Sequence, residues 1–144
     1  MTHPRFEVKH RIRFSECDPA GIVFYPQYFV LFNDLMEAWI DTLLPEGFAG
    51  TIGQKRCGLP TAHLEADFKA ISRMGDEVVL SIELERLGNK SLNLALACTG
   101  VDGVLRMTVK QTVVTTSLDT HASIPVPDHL RQALSAHIPT DSIP

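Results

Sequence analysis

Residues 26–43 read PQYFVLFNDLMEAWIDTL. Tyr28, Leu31, Phe32, Leu35, Met36, Trp39 and Leu43 recur there at three- and four-residue steps, with Asn33, Asp34, Glu37 and Asp41 between them. That is the stripe of a helix with one broad apolar face. Pro26 fits the first turn, where a missing amide hydrogen costs nothing, and Pro45 and Gly47 end the segment. A helix of about 17 residues is roughly 26 Å long, enough to cross a sheet.

On either side the period changes. Residues 6–14 alternate, with Phe6, Val8, His10, Ile12 and Phe14 on one face and Glu7, Lys9, Arg11 and Arg13 on the other, as in a strand covered on one side. Residues 47–60 read as a loop with one short helical turn. Beyond them the alternation resumes over 62–68, 77–87, 91–99 and 105–116, broken by Met74-Gly75-Asp76, Gly88-Asn89 and Asp102-Gly103, all turn dipeptides or tripeptides. Residues 127–137 predict a short closing helix, with Pro127 at its start and Pro139 beyond its end. A strand, one long helix and four more strands exclude a repeated strand–helix–strand unit. They predict an α+β domain, a five-stranded antiparallel sheet wrapped around the central helix. Val79, Val109 and Val113 are expected on the sheet's outer face, where association with another copy would cover them.

The 144 residues, 44% of them hydrophobic and 21% charged, suit one domain spanning 1–144 and argue against disorder or a fibrous repeat. A net charge of −4 does not suit a broad nucleic-acid-binding face. Cys17, Cys57 and Cys98 are odd in number and far apart, which fits a reducing compartment better than a disulfide framework. No stretch reaches the roughly 20 apolar residues of a membrane span, and residues 1–11 have no apolar run behind their charges. No signal peptide, no membrane partner and a cytoplasmic location are expected.

The chemistry concentrates in Glu16-Cys17-Asp18-Pro19-Ala20-Gly21-Ile22-Val23-Phe24-Tyr25-Pro26. A carboxylate in a turn just ahead of a helix start can share a cavity with the helix's free amides, which suit a developing oxyanion. Asp18 there either attacks a polarised carbonyl or activates water toward it, or it merely caps the turn. Other residues point less clearly to chemistry. Cys17 has no local histidine to activate it. His3, His10, His63, His121, His129 and His137 show no metal-ligand spacing. Trp39 fits the helix core, and Lys55-Arg56 a solvated loop. No glycine-rich nucleotide loop is present.

Arg11-Ile12, followed after four residues by Cys17-Asp18-Pro19-Ala20-Gly21-Ile22-Val23-Phe24-Tyr25-Pro26-Gln27-Tyr28, closely resembles the signature of the 4-hydroxybenzoyl-CoA thioesterase family of hotdog-fold acyl-CoA thioesterases. The long helix, Phe68, Gly75-Asp76 and the closing hairpins extend the resemblance over most of the chain. It implies the hotdog fold, an acyl-CoA substrate and no metal or redox cofactor. It also implies a homodimer with active sites at its interface, able to pair into a homotetramer. The family's aspartate matches Asp18, as nucleophile or general base. The amide of the residue matching Tyr25 polarises the thioester carbonyl, and Gly21 keeps the approach open. Pro26 stands where many broader members have histidine. Lys90, beside Ser91, fits a CoA phosphate contact, but Leu87-Gly88-Asn89 stands where two arginines are usual, leaving Arg86 or Arg73 to assist. Asn33 replaces the aspartate beside the aryl pocket and leaves the acyl group open. A separate hotdog branch uses a carboxylate on the long helix, which makes Glu37 and Asp34 weaker candidates, expected to face solvent or a partner.

Two other functions fit the same pattern. An acyl-CoA hydratase would need a histidine paired with the carboxylate. A non-catalytic acyl-thioester binder would need no chemistry from Asp18.

Overall fold

The apolar stripe becomes helix α1, Tyr25–Leu43, in a computed structural model that describes residues 5–137. Tyr28, Leu31, Phe32, Leu35, Met36, Trp39 and Ile40 are buried along it. Ile40 belongs to the stripe, whereas Leu43, expected in it, is only half-buried. Pro26 sits in the first turn as expected. The remaining elements are β1 (Phe6–Arg11), α2 (Gly47–Gly53), β2 (Cys57–Gly58), β3 (Thr61–Phe68), β4 (Glu77–Leu87), β5 (Ser91–Gly100), β6 (Leu105–Val114), β7 (Thr116–Ser117) and α3 (Asp128–Ser135). His3 and Pro139 lie outside the described residues.

Strands β1, β4, β5, β6 and β3 form, in that spatial order, one antiparallel five-stranded sheet. Its concave face closes over α1. Val78, Leu80, Ile82 and Leu84 of β4 are almost fully buried, as are Leu92, Leu94, Leu96 and Cys98 of β5. The α3 helix closes one end with Leu130 and Leu134, both at 0% exposure. The pair β2–β7 forms a separate two-stranded sheet.

Three departures from the alternating pattern matter. Strand β1 stops at Arg11, because Ile12 turns to exchange hydrogen bonds with Gly75 and Asp76. Phe14 therefore opens a 3₁₀ turn, Phe14–Glu16, and is 80% exposed rather than on the covered face. Val109 and Val113 are buried against α1, not on the outer face, since the register sets them opposite the inward Leu96 and Leu92. Directly opposed residues share a face. Only Val79, opposite Thr99, points outward and half-exposed.

The edge strand β3 differs from its neighbours. Seven of its eight residues are exposed, and Ala66 is half-buried. Among the described residues no helix is long and apolar enough to cross a membrane.

Ile40→Ala is expected to lower unfolding free energy by about 2–4 kcal/mol, since the vacated volume is enclosed. Phe14→Ala is expected to change it by less than about 0.5 kcal/mol. Urea titration of both variants checks the pair, and a large loss at Phe14 would place that ring in the core.

Candidate active site

The segment after β1 must reverse direction within a few residues to feed α1, and its hydrogen bonds show how. Asp18 donates its N–H to Ile22 O at 2.9 Å, and Gly21 donates to Asp18 O at 2.9 Å. The Asp18 Oδ1 atom accepts the Ala20 N–H at 2.9 Å, a side-chain turn typical of aspartate. Gly21 has φ +79°, the left-handed region that glycine occupies without strain, and a Cβ there would meet nothing within 4 Å. The turn is thus tight in its backbone and open above Gly21.

This turn is stitched to its surroundings on both sides. Phe24 N–H reaches Glu16 O at 2.9 Å, Val23 N–H reaches Ser72 O at 3.0 Å, and Met74 N–H reaches Gly21 O at 3.0 Å. Helix α1 then starts with three consecutive first-turn positions of different fate. Gln27 N–H turns back to Phe24 O at 2.8 Å, and Pro26 has no N–H to give. The Tyr25 amide makes no hydrogen bond to any described residue. It is a free donor at the positive end of a 19-residue helix, next to the half-buried Asp18 turn.

Two of the clefts that border this helix lie toward β3. One of about 270 Å³ lies at its start, lined by Ile22, Tyr25, Tyr28, Phe68, Lys69 and Ser72. The Tyr25 and Phe68 rings meet edge-on there, with centroids 6.2 Å apart. The other, about 380 Å³, runs between α1 and the β3–β6 edge, with Phe29, Met36 and Leu64 as apolar walls and Asn33, Thr61 and Gln111 as polar groups. Gln111 Nε2 donates to Thr61 Oγ1 at 2.7 Å.

The predicted site residues therefore fall into three groups. Asp18, Gly21, Tyr25 and Pro26 stand together, and Asn33 lies two turns along α1 in the second cleft. Arg86, Lys90 and Ser91 are elsewhere in the protomer. Glu77, at the near end of β4, pairs with Arg11 beside the Asp18 turn, whereas Arg86 is near the far end. Eleven extended residues cover about 33 Å, so one protomer does not bring Lys90 to Asp18. The hairpin carrying Lys90 is fixed by Arg131, which donates to Gly88 O at 2.7 Å, and by Thr115 N–H on Lys90 O at 3.0 Å. Arg73, by contrast, sits opposite Ile22 in the turn itself. Glu37 and Asp34 are exposed on α1.

Several residues that the sequence pattern did not single out support the turn from below. The Arg106 guanidinium is buried and donates to Ile71 O, Ser72 Oγ and Asp76 Oδ2 at 3.0, 3.4 and 3.0 Å, and to Asp102 Oδ2 at 3.0 Å. Ser72 Oγ in turn accepts the Tyr28 hydroxyl at 3.0 Å. Burial disfavours the charged guanidinium, but hydrogen bonds to Asp76 and Asp102 outweigh it and hold its pKa above the ordinary value. The Arg73 N–H and then Arg106 hold Asp76 below the usual carboxylate range. The Cys17 thiol is pushed up, first by burial and then by Glu16 and Asp18, which keeps it protonated and a poor nucleophile. Among the described residues no three His, Cys, Asp or Glu side chains converge as a metal site requires.

A single long helix enclosed by a curled five-stranded antiparallel sheet defines the hotdog class. The chain belongs to the Thioesterase-like superfamily, whose family model matches residues 12–134. A 1,4-dihydroxy-2-naphthoyl-CoA hydrolase of Synechococcus sp. (strain CC9605) is 30% identical over 95 residues, 61% of this chain and 62% of that protein. The match thus spans less than two thirds of that relative's length. Among solved structures, a thioesterase superfamily protein from Jannaschia sp. CCS1 superposes with a TM-score of 0.87 at 29% identity, covering 97% of this chain and 99% of the other. A 1,4-dihydroxy-2-naphthoyl-CoA thioesterase from Synechocystis shares the fold, with a TM-score of 0.82 at 17% identity over 92% of this chain and 96% of that one.

Because Asp76 is shifted downward in the folded state, its ion pair adds stability above the unfolded carboxylate pKa, and that stability is lost as pH falls through the folded value. Asp76→Asn is accordingly expected to cost stability by a constant amount from pH 7 to about 5. The gap from wild type should narrow below about pH 4, near the unfolded aspartate value. Denaturant midpoints measured across this range check it, and a gap that widens with acid contradicts it.

Proposed function

We propose that this chain hydrolyses acyl-CoA thioesters, with Asp18 as the catalytic carboxylate and the Tyr25 amide as the oxyanion donor. The observation that carries the reading is the unpaired Tyr25 N–H at the start of α1, beside the Asp18 turn. A thioester carbonyl placed there would have its developing negative charge met by a fixed donor and by the helix dipole. In one form of the step, Asp18 takes a proton from water as the water oxygen bonds to the carbonyl carbon. In the other, the carboxylate itself attacks, and water then cleaves the resulting anhydride. In either form the carbon–sulfur bond breaks as the tetrahedral adduct collapses. Thiols are far stronger acids than alcohols, so the CoA thiolate departs without a dedicated general acid. His10 pairs with Glu16 rather than with Asp18, which gives a hydratase no proton shuttle at the carboxylate.

The acyl group fits the cleft beside α1. Its apolar walls and its polar Asn33, Thr61 and Gln111 suit an aromatic acid bearing hydroxyl substituents. The Synechococcus relative's activity on a dihydroxynaphthoyl thioester is of this chemical kind.

The CoA contacts call for a second copy. Strand β3 is an exposed edge that carries Leu64 and Phe68. Its Phe68 end adjoins Tyr25, and its Thr61 end adjoins the Lys90 hairpin through Pro60–Val114 and Thr115–Lys90 bonds. Pairing β3 with itself about a two-fold axis places the Thr61 end of one copy against the Phe68 end of the other. That would bring Lys90, Ser91 and Arg86 of one protomer toward Asp18 of the next, where they would meet the CoA phosphates.

Asp18→Asn is expected to reduce kcat by about 10²–10⁴-fold while leaving the protein folded and associated. Thiol release from aromatic, short-chain and long-chain acyl-CoAs measures it. Undiminished hydrolysis in that variant would remove Asp18 from the chemistry. Leu64→Glu, a charge in the middle of the edge, is expected to give monomers by light scattering and to depress kcat/KM. A fully active monomer would refute the shared site.

A further inference from the structure

Glu16, two residues ahead of Asp18, is only 9% exposed, although it sits in a turn. A buried carboxylate is costly unless its oxygens are satisfied, and these are. Glu16 Oε1 accepts the Arg13 N–H at 2.8 Å, and the two carboxylate oxygens lie 2.8 and 3.0 Å from His10 Nε2. A carboxylate can only accept, so His10 Nε2 carries the proton. His10 belongs to β1, which is tied to β4 through its pairing with Val78. Glu16 is thus anchored to the sheet on one side and to the start of its own turn on the other.

Its backbone then connects this anchor to both reacting positions. Glu16 O accepts the Phe24 N–H at 2.9 Å, and Phe24 is the residue on which α1 and the Tyr25 amide are built. Asp18 follows two residues later. One buried residue therefore fixes the spacing between the carboxylate and the free amide. A separate cleft of about 410 Å³, bordered by Arg13, Asp34, Leu31 and Leu35, opens onto the His10–Glu16 pair from the side away from β3.

We infer that Glu16, held by His10, is a positioning residue that sets the distance between Asp18 and the Tyr25 amide. The inference rests on the thioester reading for its kinetic consequence, though not for its structural one. Glu16 touches neither substrate nor reacting atoms. Its effect is confined to geometry, and small displacements of a reacting group are enough to cost about 10²-fold in rate.

The test compares Glu16→Ala, Glu16→Gln, His10→Ala and the double variant Glu16→Ala/His10→Ala. Glu16→Ala is expected to lower kcat by about 10- to 100-fold with KM within about threefold. Glu16→Gln keeps one oxygen for both the Arg13 N–H and the His10 Nε2–H, which meet at Oε1 in the wild type, and should recover kcat to within about threefold of wild type. The double variant should be no worse than Glu16→Ala, since the two side chains act as one unit. Amide hydrogen exchange supplies a readout independent of turnover. In Glu16→Ala the Ala20, Gly21 and Phe24 amides should exchange about tenfold faster or more, while those of Leu80 and Ile82 in β4 stay protected. Unchanged kcat in Glu16→Ala, a loss that Gln does not rescue, or unaltered exchange at those three amides would overturn the inference. Failure of wild-type protein on every acyl-CoA would instead overturn the thioester reading, and the exchange pattern would still decide the role of Glu16.

Discussion

The arrangement around the Asp18 turn hangs on one buried cation. Arg106 reaches from β6 under the sheet's rim to the segment that follows β3, and fastens Ile71, Ser72 and Asp76 in a single grip. That segment is what the Asp18 turn leans on, through Val23 to Ser72 and Met74 to Gly21. Ser72 also receives the Tyr28 hydroxyl from the first turns of α1. Sheet, turn and helix therefore meet at one guanidinium. A charge this deep is tolerated because Asp76 and Asp102 neutralise it and the Ile71 carbonyl and Ser72 hydroxyl accept from Nη1, although Nε has no partner among the described residues.

Above that support, a division of labour follows from chain order. The carboxylate and the amide come from eight consecutive residues, Asp18 through Tyr25, so their mutual geometry depends on a local turn. The cleft proposed for the acyl group needs α1, β3 and β6 together, and the candidate phosphate contacts stand at the opposite end of β4. The proposed chemistry is thus built from neighbouring residues, and the proposed binding contacts from progressively more distant ones.

The same ordering governs what could be read without coordinates. The helix was legible because its seven apolar positions keep a 3.6-residue period against polar neighbours, and β4 was legible from Val78 to Leu84 because every second residue is aliphatic. Asp18, Gly21, Tyr25 and Pro26 were legible as a group because they are contiguous. Alternation alone does not say which face turns inward, so Val109 and Val113 could be placed only by their pairing with Leu96 and Leu92. Nor does alternation reveal where a strand is pulled out of line, as Ile12 is by Asp76, which left Phe14 in solvent. Arg106, Ser72 and the His10–Glu16 pair were silent for a third reason: their partners are between 4 and 44 residues away in sequence, and no periodicity encodes such meetings.

The bond from Ala20 N–H to Asp18 Oδ1 has a stereochemical result. In water the two oxygens of a carboxylate exchange places by rotation and are equivalent. Here one is committed to the backbone, which opposes that rotation. The other, Oδ2, accepts no hydrogen bond from a described residue and is left free to meet a ligand or water. The turn thereby converts a symmetric functional group into a handed one, before any ligand arrives.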